Sequence, residues 1–87
     1  MARRRRDRER ELERRLQEHE LLRQRGYTFR AGDGGGVVVE RWDSFVGIWS
    51  HVDGHFEWTP GGHQEPTDRT RSVVDAVRHT LVIIAKA

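Results

Sequence analysis

The sequence predicts an α+β fold: an antiparallel β-meander of three to four strands, with a C-terminal helix packed on one face and a charged N-terminal helix. Three observations point there. All seven aromatic residues lie between Tyr27 and Trp58, interleaved with β-branched residues and turn dipeptides. The last segment carries apolar residues at helical spacing. The first 26 residues hold no aromatic, valine or isoleucine and are rich in Arg, Glu, Leu and Gln, which are good helix formers.

The N-terminal segment predicts a helix over about residues 5–24, ended by Gly26. Its apolar stripe is narrow. Leu12 and Leu16 are four apart, and Leu22 lies six beyond Leu16 with His19 between. That is too short for a coiled coil, which needs three or four heptads. The stripe suits docking on the body or pairing with a second copy.

The meander follows. Tyr27–Ala31 is a short strand, and Gly32-Asp33-Gly34-Gly35-Gly36 is a flexible turn. This loop has no unique closure, so the register of Tyr27 and Phe29 stays open. Val37–Trp42, Phe45–Val52 and His55–Thr59 are further strands. Asp43-Ser44 is a plausible two-residue loop. Asp53-Gly54 is a stronger one, because a type I′ turn wants positive φ at both central positions. Pro60-Gly61-Gly62 ends the last strand.

These loops set a register, and alternation then sorts the side chains. One face collects Val38, Trp42, Phe45, Trp49, Phe56 and Trp58, with Gly47 placed to let a ring approach the backbone. The other collects Val37, Val39, Val46, Ile48 and Val52. A one-residue slip would mix the two. The aromatic face either forms the core beneath the last helix or offers a stacking platform for bases. The core reading is preferred, since the chain has few other large side chains from which to build one. The aliphatic face is then expected to be an interface with a protein partner or a second copy, unless the N-terminal helix covers it.

The final helix is expected from Val73 to Lys86. Ser72-Val73-Val74-Asp75 has capping-box spacing, and Val73, Val77, Leu81 and Ile84 share a face.

Eighty-seven residues make one small domain. It divides into an Arg-rich helical arm, 1–26, and a meander-plus-helix body, 27–87. Residues 1–30 hold eleven arginines against six acids, net +5, and residues 31–87 hold five basic residues against eight acids, net −3. The formal charge of +2 therefore conceals a basic arm on a mildly acidic body. Cysteine is absent, which excludes disulfides, thiolate metal sites and cysteine nucleophiles. The longest apolar run is the five residues Leu81–Ala85, against the roughly 20 that a membrane span needs. The opening arginines are not a secretory signal, so a cytoplasmic, intracellular protein without membrane association is expected.

Enzymatic chemistry finds little footing. His51 and His55 would share a face on a helix, but the Asp53-Gly54 hairpin sends them to opposite faces, so no metal site is expected. No serine stands in a nucleophile motif, and Ser72 is better used as a cap. The glycine loop lacks the Lys-Ser/Thr and the following helix of a phosphate loop. No cofactor is expected.

What remains is a small non-enzymatic nucleic-acid-associated protein, held through Arg3, Arg4, Arg5, Arg6, Arg8 and Arg10. Arginine forks suit phosphate geometry. A plain solvated tail is the competing reading of the same run. The alternative function is a protein-binding regulator or inhibitor module acting through the sheet face or the acidic body. Removal of residues 1–10 is expected to leave the body folded, since that stretch has no large apolar residue except Met1.

Overall fold

The computed structural model describes residues 2–86, with the side chains of residues 6–85. In chain order the elements are α1 (Ala2–Glu18), α2 (Glu20–Gln24), β1 (Tyr27–Ala31), β2 (Val37–Arg41), β3 (Ser44–Val52), β4 (His55–Pro60), β5 (Asp68–Thr70) and α3 (Val73–Lys86). The strands form one antiparallel five-stranded sheet in the order β1-β2-β3-β4-β5. The α+β meander with its two flanking helical segments is therefore as expected, with one strand more.

The N-terminal helix is broken at His19, whose backbone is extended (φ −77°, ψ 110°). The break resolves the odd leucine spacing. Six residues along an unbroken helix turn a side chain about 120° away from its predecessor. Restarting the helix after His19 brings Leu22 back to the same core as Leu12 and Leu16, and all three are fully buried.

Both α1 and α3 lie on one face of the sheet. Helix α1 packs against β1, β2, β3 and α3. Helix α3 meets Trp49, whose indole Nε1 donates to Thr80 Oγ1 at 3.0 Å, and Thr80 in turn donates to Ala76 O at 2.8 Å. Ser72 caps α3, its hydroxyl accepting from Asp75 N at 3.1 Å.

The β3–β4 hairpin has the expected register: Val52 faces His55, His51 faces Phe56 and Trp49 faces Trp58. The β2–β3 hairpin does not. Its loop is Trp42-Asp43 rather than Asp43-Ser44, both at positive φ (49° and 68°). A bulge then places Val46 as an extra residue between Phe45 and Gly47. Val37 consequently faces Trp49, Val38 faces Ile48 and Val39 faces Gly47. This is a one-residue slip from the expected pairing, and it exchanges the faces of the valines.

The core is therefore composed differently from the expected aromatic face. Trp49, Phe56 and Trp58 are buried as anticipated, with Trp49 and Trp58 centroids 5.3 Å apart. Trp42 and Phe45 are not in it. They are 70% and 53% exposed, and Tyr27 and Phe29 of β1 take their place at 4% and 5%. Val37 and Val39 join the core at 1%. Gly47 does admit a ring: a Cβ there would stand 2.4 Å from Trp58 Cζ2.

Strand β5 was not foreseen. Its three residues, Asp68-Arg69-Thr70, carry no apolar side chain. They pair with β4 through Phe56↔Thr70 and Trp58↔Asp68, helped by Thr67 N donating to Trp58 O at 2.9 Å.

Candidate functional site

The basic arm is not a separate tail. Its backbone is the first part of α1, and α1 is locked to the body by a buried glutamate. Glu9 is 5% exposed. Its carboxylate accepts from Gly36 N at 2.8 Å and from His51 N at 2.9 Å. Those two amides belong to the entry to β2 and to β3, so a single side chain clamps the helix across two strands. Charged acceptors of backbone N–H groups form short, strong hydrogen bonds. Gln17 adds a contact at the other end of the helix, donating to Phe29 O on edge strand β1 at 2.9 Å.

Removing residues 1–10 would take Glu9 away and leave these two amides without that acceptor.

Around that anchor, Arg6, Arg8 and Arg10 are exposed. Arg8 stands 3.8 Å from Glu11, which also holds Arg15 at 3.5 Å. Exposed pairs of this kind contribute little and leave the guanidinium available. The side chains of Arg3, Arg4 and Arg5 lie outside the described residues; their backbone is helical.

The expected aliphatic interface is not assembled. Val37 and Val39 point into the core, and Val46 packs against that core at the bulge. Ile48 and Val52 alone of the five remain on the opposite face, half-buried. Their neighbour Val38 is 7% exposed because the glycine loop folds across this face. A Cβ on Gly32 would lie 3.3 Å from Val38 Cγ2, and one on Gly36 2.9 Å from Ile48 Cδ1. Ion pairs lie on the same face: Arg30 pairs with Glu40 at 3.1 Å, and Glu57 with Arg69 at 3.0 Å.

Two features escaped the sequence reading. The first is the exposed Trp42 and Phe45 pair at the β2–β3 tip. The second is a set of body arginines around α3. An open groove of about 890 Å³ runs between α1, the β3–β4 hairpin and the start of α3, and Arg8 and Arg71 both line it. A further groove of about 430 Å³ lies between β5 and α3, lined by Arg69, Arg71, Arg78, Asp75, Thr70 and His79, among others. Arg71 belongs to both.

His51 and His55 lie on opposite faces, as the hairpin requires. His51 stacks edge-on to Phe56, while His55 approaches Glu57 at 3.5 Å. Among the described residues no group of three or more His, Cys, Asp or Glu side chains converges on a point where a metal ion would fit. No helix among them is long and apolar enough to cross a membrane. No protein-family model, curated protein or solved structure matches the chain.

Proposed function

We propose that this is a small nucleic-acid-associated binding protein whose N-terminal arginines contact backbone phosphates. One observation carries the reading: the basic run continues a helix that Glu9, Leu12 and Leu16 hold against the body. A free tail would lose its conformational freedom on binding. A docked helix has already lost much of it, so each phosphate contact is retained more fully. No catalytic group is needed for this role.

Fluorescence anisotropy of the full chain with mixed-sequence duplex and single-stranded oligonucleotides tests it. Changing Arg3–Arg6 to Gln should make log K against log salt shallower by about 0.9 for each lost duplex contact, about 3–4 in total. A wild-type protein that binds neither oligonucleotide at low salt refutes the reading.

The exposed Trp42 and Phe45 favour a second reading, a protein-binding module. Large exposed aromatics at one end of a small domain are typical interface anchors. Under it, Trp42→Ala abolishes capture of a protein partner while the oligonucleotide titration shows no binding.

A further inference from the structure

On α3, Asp75, Arg78 and Val82 stand at steps of three and four residues and share one face, and Arg71, just before the Ser72 cap, lines the same groove. That face looks onto β5 across the 430 Å³ groove. Arg69 is engaged by Glu57 at 3.0 Å. Arg71 and Arg78 are exposed, and neither makes an ion pair with any described residue. Asp75 is the single carboxylate lining the groove among the described residues. On the wall, Thr70 Oγ1 is a buried hydroxyl with no hydrogen-bond partner. His79 Nε2 is buried as well and lies 3.4 Å from Asp68 Oδ2.

Two unpaired guanidinium groups on the rim of one groove suit a phosphate oxygen. Arg71 also lines the larger groove, which Arg8 borders together with Asp7 and Glu11.

We infer that the β5–α3 groove is a second phosphodiester-binding site, and that a nucleic-acid strand held by the arm runs past Arg8 and Arg71 to Arg78. This rests on the nucleic-acid reading above and adds the body as a binding surface.

The test uses the full chain carrying Arg71→Gln and Arg78→Gln together. Both side chains are exposed and unpaired, so the melting temperature should stay at the wild-type value. A charge-matched control changes Arg23 of α2 and Arg25 at its C-cap to Gln, neither of them lining either groove. With mixed-sequence duplex, the groove variant should show a salt slope shallower by about 1.8, the value for two lost contacts. The control should keep the wild-type slope. An unchanged slope in the groove variant, or an equal loss in the control, overturns the inference. If the Arg3–Arg6 variant loses slope while the groove variant does not, the arm reading stands and the groove alone fails. If wild type does not bind, both fail.

Discussion

Strand β3 is shared by two hairpins that are closed in different ways. The β3–β4 turn, Asp53-Gly54, has φ of 51° and 84°. It stands free, since a Cβ added to Gly54 would meet nothing within 4 Å. The β2–β3 turn, Trp42-Asp43, also has both φ positive, but it leans on a distant part of the chain. Trp42 N donates to Gly26 O at 3.2 Å, and the indole lies so close over Gly26 that a Cβ there would sit 2.3 Å from Cε2. One hairpin is decided by its own turn chemistry. The other is decided by a tertiary contact that supports an otherwise unfavourable tryptophan at positive φ.

The largest expected effect concerns the residue common to both. Trp49 is fully buried, packs on Phe56 and Trp58 and bonds Thr80. Trp49→Ala should cost about 3–5 kcal/mol through the cavity it leaves, comparable to the whole stability of a small domain. Thermal melting followed by circular dichroism should show loss of the cooperative transition. Wild-type melting would place Trp49 outside the core and remove the hub from both hairpins.

Next comes the clamp. Glu9→Ala deprives Gly36 N and His51 N of their acceptor in a buried setting, which should cost roughly 2–4 kcal/mol. Amide hydrogen exchange at Gly36 and His51 should accelerate more than at Val52 or His55. Equal acceleration everywhere would mean that Glu9 contributes only general stability and does not localise α1.

The legibility of the fold follows the same division. Elements that rest on local chemistry were readable: the Asp53-Gly54 hairpin, the Ser72 cap, the apolar stripe of α3. Elements that rest on distant contacts were not. The Trp42-Asp43 loop needs Gly26, and the bulge at Val46 needs Val39 to meet Gly47 rather than its neighbour. One slipped residue then moved Val37 and Val39 into the core and left Trp42 and Phe45 outside. Strand β5 carries no apolar signal, because its pairing with β4 is made by backbone hydrogen bonds and the Arg69–Glu57 ion pair. The candidate site divides likewise. The Arg run is visible as composition, whereas Arg8 is far in sequence from Arg71 and Arg78 and lines a groove with Arg71 only in the folded chain.

A coupling experiment sharpens the comparison at the β2–β3 turn. Gly26→Ala meets both a positive φ of 86° and the indole of Trp42. The backbone part should cost about 1 kcal/mol whatever the neighbour. The steric part depends on the ring. Adding Trp42→Ala should recover about 0.5–1 kcal/mol of the loss, a positive interaction energy of the kind seen between residues in contact. Strict additivity in chemical denaturation would show that the indole swings aside freely.

The smallest effect separates folding from function at that same turn. Asparagine tolerates the left-handed conformation far better than tryptophan and is favoured in type I′ loops. Trp42→Asn therefore loses the ring contact with Gly26 while relieving backbone strain, and the two changes oppose each other. The net shift in stability should stay within about 0.5 kcal/mol, the usual range for surface substitutions. The same substitution at a residue 70% exposed removes the largest accessible aromatic surface of the chain. Denaturant midpoints for both proteins, set beside their partner or oligonucleotide binding, give the answer. Unchanged stability with lost binding assigns Trp42 to recognition. A loss above about 1 kcal/mol makes the indole a structural strut of the hairpin, and its exposure then says nothing about partners.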